Sequence, residues 1–216
     1  MSNREIVVKG IGKASASPDL LIIEMALESK RMDYEETMQQ AADMIDSLRA
    51  AIESAGHDGT ELKTTSFTIN TRYESYRESG GHKQRFAGYV CSHRLKLEFD
   101  LDMKKLGVTL GAISVCKANP DFSIKFSVKD PNAVSEHLLA SAVENAKVKA
   151  KILAESASVK LGAIQRIDYN WDELQLYSKT SMDLMCCFEA IEPYDMGIEP
   201  EDIDLTDTVA VVWAIE

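Results

Sequence analysis

Between residues 91 and 99 the chain alternates strictly in polarity. Cys91, His93, Leu95, Leu97 and Phe99 fall on one side of an extended segment, and Ser92, Arg94, Lys96 and Glu98 on the other. Successive strand side chains point to opposite faces, so this pattern fits a sheet with one face buried and one face wet. Phe122, Ile124, Phe126 and Val128, interleaved with Ser123, Lys125, Ser127 and Lys129, repeat it, and Leu21, Ile23, Met25 and Leu27 give a third such line. Half-buried strands of this kind, separated by helical periods, predict an α+β fold with a mostly antiparallel or mixed sheet.

The helical periods are equally legible. Tyr34, Met38, Ala41, Ile45, Leu48, Ile52 and Ala55 recur at alternating steps of four and three, behind a capping pattern of Asp33 and Glu36 and ahead of Gly56. Asp130-Pro131 opens a second, longer helix. It is expected to run to Leu161 and stop at Gly162, roughly 45 Å at 1.5 Å per residue. Its inward line is Leu139, Val143, Ala146, Ala150, Leu153, Ala157 and Leu161. A short helix is expected over 103–117, and strands over 5–13, 20–29, 61–76, 84–100, 164–171 and 208–215. Residues 172–207 are acidic toward their end and have no period, so they read as an irregular acidic excursion. The whole chain, 1–216, is expected to be a single domain of one or two lobes.

Lys and Arg number 24 against 35 Asp and Glu, a formal charge of −11. Such a chain repels phosphate backbones, so no nucleic-acid partner is expected. No apolar run is long enough to span a membrane. The four cysteines, Cys91, Cys116, Cys186 and Cys187, form no CxxC, and the N-terminal residues carry no apolar signal core. Reduced thiols in a cytoplasmic protein are expected on that basis.

Candidate sites are few. Gly10 and Gly12 lack the third glycine and following helix of a dinucleotide loop, and close packing is the favoured reading. His57, His82, His93 and His137 show no metal spacing, and Asp202, Asp204 and Asp207 fail the calcium-loop pattern. Lys147, Lys149 and Lys151 point different ways around a helix and read as a solvated face. No nucleophile motif or phosphate loop occurs, so no catalytic residue, metal or cofactor is expected. Around Gly80-Gly81 lies a basic and aromatic cluster: Arg72, Tyr73, Tyr76, Arg77, His82, Lys83, Arg85, Phe86 and Tyr89. Cross-strand aromatic pairs in a soluble hairpin are the favoured reading. The alternative is a ligand surface formed by Arg72, Tyr73, Tyr76, Arg77 and Arg85, gripping a small or anionic ligand.

Several segments together resemble the SIMPL-domain family: residues 6–12 with Pro18-Asp19, Ala55-Gly56, residues 64–67, Tyr73, Gly88-Tyr89, residues 126–130, and residues 146–154 running to Leu161-Gly162. The resemblance implies a long helix packed on a sheet, no established reaction, and ring-like or channel-like homo-oligomers. Many members of the family are exported bacterial proteins linked to stress tolerance. Val148, Ile152 and Val159 fall opposite the long helix's inward line, and a partner subunit is their natural cover. The expectation is therefore a self-assembling protein without catalysis, the alternative being a ligand binder or an enzyme whose site forms only in the fold.

Overall fold

The computed structural model describes residues 4–78, 81–169, 176–184 and 197–216. In chain order its elements are β1 (Glu5–Ala16), β2 (Leu20–Arg31), α1 (Tyr34–Ser54), β3 (Lys63–Glu78), β4 (Gly81–Asp100), α2 (Met103–Ser114), β5 (Asp121–Ser127), α3 (Pro131–Ser156), β6 (Leu161–Tyr169), β7 (Tyr177–Leu184) and β8 (Ile203–Ile215). Among the described residues the strands form two antiparallel sheets, ordered β1-β8-β6 and β3-β4-β2-β5-β7, an α+β fold. No helix among those residues is long and apolar enough to cross a membrane. The chain divides into two compact units, one of Met1–Asp19, Ser127–Lys179 and Pro200–Glu216, the other of Leu20–Phe126 and Thr180–Glu199.

In the first unit α3 lies on the three-stranded sheet along Leu138, Ala142, Ala146, Ala150 and Ala154, all buried. Its approach is close because β1 presents Gly10 and Gly12 to it. A Cβ on Gly10 would overlap the Ala142 carbonyl oxygen and stand 2.7 Å from the Ala146 Cβ, and one on Gly12 would overlap the Leu138 carbonyl. This seam corrects the expected inward line. Ala146 and Ala150 lie in it, but Leu139 and Val143 only flank it and Leu153 is 47% exposed. The glycines admit only small side chains at closest approach, so alanines occupy it and bulkier residues are turned aside.

The helix also ends earlier than expected, at Ser156. Ser158 takes a left-handed conformation with φ of 56°, and the Val159 N–H donates to Ala154 O at 3.0 Å. Leu161 pairs instead with Ile215, and Gly162 lies inside β6. Strand pairing with β8 overrides the helical pattern there.

The span 172–207 is not irregular throughout: β7 and the start of β8 fall within it. β8 reaches back to Ile203 because β1 runs on to Ala16 and pairs with it there. Ile203 and Leu205 are buried with Ala14, Val128 and Leu138. Asp204, between them, points outward and accepts from Ser15 of β1, and Asp202, just before β8, accepts from Ser17, just after β1, each at 2.7 Å. Residues 203–207 read as aperiodic because their two-residue alternation is short and set among aspartates, while 172–175 and 185–196 lie outside the described residues.

The second unit follows the order β-α-β-β-α-β with its strands arranged β3-β4-β2-β5, the split β-α-β arrangement of ferredoxin-like folds. Leu21, Ile23, Met25, Leu95, Leu97, Ile124 and Phe126 line one sheet face, packed with Leu48 and Ile52 of α1 and Leu106, Leu110 and Ile113 of α2. Each fully buried side chain of this size contributes about 1.5–3 kcal/mol. Asp33 caps α1 as its spacing implied, accepting from the Glu35 and Glu36 N–H groups at 2.8 and 3.2 Å. The other face of this sheet carries Glu24, Ala26, Arg94, Lys96, Glu98 and Lys125.

Candidate functional site

The two sheets treat their first edges differently. The outer edge of β1 is closed by α3: Asn145 Oδ1 accepts from the Ile11 N–H at 3.0 Å, Ser141 Oγ accepts from the Lys13 N–H at 3.2 Å, and Lys149 Nζ donates to Lys9 O at 3.1 Å. Spacing of four places these three side chains in one row beside alternate strand residues. Lys149, read from sequence as part of a solvated face, thus has a structural partner.

β3 and β4 carry the basic and aromatic cluster. β2 ends at Arg31, opposite Tyr89, so, among the described residues, 72–78 and 81–88 pair only with each other. Tyr73 meets Phe86 edge-on at 5.9 Å, Phe86 meets Tyr89 at 5.3 Å, and Tyr89 meets Tyr34 of α1 at 5.6 Å. This continuous run of rings includes the cross-strand pairing that the sequence suggested. Glu74 takes Arg72 and Arg85, each at 3.3 Å, so two of the five candidate ligand residues spend their charge within the hairpin. Tyr73 and Tyr76 stay 56% and 40% exposed. The His82 side chain lies outside the described residues.

A dent of about 370 Å³ lies in the second unit, lined by Glu24, Ala26, Thr65, Arg94, Asp121 and Ser123 among others. It exists because Ala26 and Ser123 are small beside the long Arg94 and Glu24. Glu24 is held by Lys125 at 2.8 Å. The Arg94 side chain makes no hydrogen bond or ion pair to another described residue, and its planar fork suits a carboxylate or phosphate. Sequence reasoning missed this group. Its residues converge through the pairings Ala26↔Arg94 and Ser66↔Arg94 and the place of β5 beside β2, which no local pattern announces.

The interface residues expected on the long helix divide. Val148 and Ile152 are 48% and 56% exposed, opposite the alanine seam. Val159 is half-buried and lies beyond the helix end, so it does not continue their line. Leu153, expected inward, joins the exposed apolar residues instead.

His57 is buried between α1 and α2. Its Nε2 lies 2.8 Å from Thr109 Oγ1 and its Nδ1 3.2 Å from Glu61 Oε2. Thr109 gives its own hydroxyl proton to Lys105 O at 2.7 Å. Burial pushes the His57 imidazole below its ordinary range, Lys105 adds to that, and Glu61 opposes it. Burial likewise lowers His93, which bonds Thr64 Oγ1 at 2.8 Å and meets the Phe67 ring edge-on. For both groups the unfolded chain takes up a proton near pH 6.5 that the folded chain declines. Stability is therefore complete above that pH and falls as pH drops toward the folded-state values. The melting temperature is expected to be lower at about pH 5.5 than at about pH 7.5, and replacing both histidines by Gln should flatten the difference between those two pH values. A wild-type profile that is flat or rises on acidification would contradict this.

Among the described residues no group of three or more His, Cys, Asp or Glu side chains could hold a metal ion. Asp202 and Asp204 are engaged by serines, and Asp207 accepts from Tyr169 at 2.9 Å. Cys91 and Cys116 are free, while Cys186 and Cys187 lie outside the described residues.

The chain matches the SIMPL family, described as a protein of unknown function (DUF541), over residues 6–213. It is 26% identical over 163 residues to the 26 kDa periplasmic immunogenic proteins of Brucella melitensis and Brucella abortus, an alignment covering 75% of this chain and 65% of each relative. The chain thus spans about two thirds of the length of these curated relatives. Their names overturn the cytoplasmic placement expected above. The thiol argument fails on physical grounds: Cys91 is enclosed in the sheet, where burial pushes its thiol up and keeps it unreactive. Such a cysteine stays free in any compartment. From the two strand-rich units to the glycine seam beneath the long helix, the sequence match spans nearly everything described, and the chain belongs to the SIMPL family.

Proposed function

We propose that this protein acts without catalysis, as a homo-oligomeric assembly in the exported setting that its relatives' names describe. The observation that supports this best is the outward face of α3. Val148 and Ile152 stand there about half exposed. A helix whose opposite side already fills a tight seam gains nothing within its own unit from this second apolar line, whereas a neighbouring copy would bury it. Closed assembly, with the face repeated around a ring, is the form this reading takes. The stress-tolerance role implied by the family resemblance belongs to the same reading.

The competing reading, a binder of a small or anionic ligand, has the dent beside Arg94 as its support. That dent is open, and two of the arginines first named for ligand binding share the Glu74 carboxylate, so assembly is the better-supported function.

The assembly reading is tested with Val148→Lys combined with Ile152→Glu. Light scattering should show a wild-type mass that is a multiple of 24.0 kDa and a several-fold smaller mass for the double variant, with native-like far-UV circular dichroism. A monomeric wild type would refute assembly, and an assembled variant of unchanged mass would remove α3 as the contact.

A further inference from the structure

The geometry points to a second contact between copies: the outer edge of β3 pairs antiparallel with β3 of another copy, about a two-fold axis at Tyr73. It rests on the self-assembly proposed above but uses a different surface, in the other compact unit.

β3 is the terminal strand of the five-stranded sheet and runs for 16 residues. Natural sheets blunt such edges with proline, bulges, short strands or a covering element. The first sheet follows that rule at β1, where Ser141, Asn145 and Lys149 of α3 occupy the edge. β3 has no such cover among the described residues. No hydrogen bond from another described element reaches its outer backbone edge, and it contains no proline. Its own irregularity lies near its start, at Thr65. The second register shift, between Arg72 and Tyr73, inserts Ala87 into β4 and leaves β3 regular. Side chains from Lys63 to Arg77 are exposed except Ile69 and Glu74, which are half-buried, so neither face of the strand is roofed. Beyond Arg31 the arm is a two-stranded ribbon, a structure that is marginal in water without a third strand.

The sequence of β3 selects the occupant and the register. A two-fold axis normal to the sheet preserves its faces, so it must pass through a residue rather than between two. Centred on Tyr73, the pairing sets Arg72 opposite Glu74 of the other copy and Glu74 opposite its Arg72. It also sets Thr71 opposite Ser75, and the half-exposed Tyr73 rings meet at the axis. Moving the centre one residue either way sets Arg72 against Arg72 or Glu74 against Glu74. Opposite charges across a strand pair are favourable and like charges unfavourable. β3 is thus complementary to itself in one register and discouraged from the two nearest ones.

Tyr73→Cys tests the register directly, because directly opposed residues of an antiparallel pair lie close enough for a disulfide. Under mild oxidation this variant should be trapped as a covalent dimer of twice 24.0 kDa, with a 73–73 linkage found by peptide mass spectrometry. Thr71→Cys, whose own counterpart would lie four residues out of register, should give at least tenfold less. In the wild type, backbone amides at alternate positions along β3 should be protected from hydrogen exchange at high concentration and lose that protection on dilution. An assembled protein with no 73–73 linkage, or with equal trapping of both variants, would overturn the β3 pairing and leave assembly through α3 standing. A wild type that is monomeric at every concentration would overturn both.

Discussion

Gly10→Val is expected to unfold most of the first unit. The side chain has nowhere to go: its Cβ would overlap the carbonyl oxygen of Ala142 and stand 2.8 Å from the backbone nitrogen of Ala146. These are helix backbone atoms, so no rotamer change relieves the overlap, and α3 must lift as a body. Lifting it would separate Asn145, Ser141 and Lys149 from Ile11, Lys13 and Lys9, and would open the alanine seam to water. Overpacking alone costs roughly 1–3 kcal/mol, and the edge hydrogen bonds add about 1 kcal/mol each, so a loss of around 4 kcal/mol or more follows. Domains are stable by only about 5–15 kcal/mol, which makes this a severe lesion. Urea melts of the wild type, Gly10→Ala and Gly10→Val would measure it, Ala already being destabilising and Val more so. A loss under about 1 kcal/mol for Val would show that the helix slides freely and that the seam is not a tight one.

Gly10 and Gly12 also show how far the sequence could be read. The absence of a third glycine argued for close packing instead of a phosphate loop, and the structure has helix backbone against both. What the pattern could not reveal is the partner, about 130 residues away, so Ala146 and Ala150 are legible as inward while Leu139, Val143 and Leu153 stand beside the true seam residues Leu138, Ala142 and Ala154. A line of Leu139, Val143 and Leu153 maximises hydrophobicity, whereas the helix obeys the space that two glycines leave. The strands around residues 91–99 and 122–128 were legible because one face meets a core and the other meets water, so polarity and position carry the same information. Where that correspondence weakens, so did the reading. β3 is exposed on both faces, β6 is mostly exposed, and β8 begins among aspartates that bond to serines around the end of β1. Among the candidate sites, the cross-strand aromatic pairing was visible locally. The pairing of Arg94 with Ala26 and the contact of His57 with Thr109 are long-range and left no periodic trace.

Gly88→Val is expected to disorder the arm while sparing the core beneath α1 and α2. Gly88 has φ of 105°, a conformation closed to β-branched residues, and it sits beside the extra residue Ala87 where β4 leaves β2. A Cβ there would overlap the Arg31 carbonyl oxygen and lie 3.0 Å from its carbon. Backbone strain of this type costs about 1–3 kcal/mol by itself, and collision with a second backbone adds to it, for a local loss of about 3 kcal/mol or more. The ribbon beyond has little to resist with. Its residues pair only across two strands, and the rings of Tyr73, Phe86 and Tyr89 depend on the register that the bulge sets. The variant should release the extra residue, shift Tyr73 away from Phe86 and deprotect amides over 72–86, while Leu97 and Phe126, fully buried, keep theirs. Because β3 would lose its regular edge, the Tyr73→Cys crosslink should fall several-fold in the same background. Hydrogen exchange that leaves residues 72–86 as protected as in the wild type would mean that the bulge tolerates a side chain. The arm would then owe its register to the aromatic run rather than to Gly88.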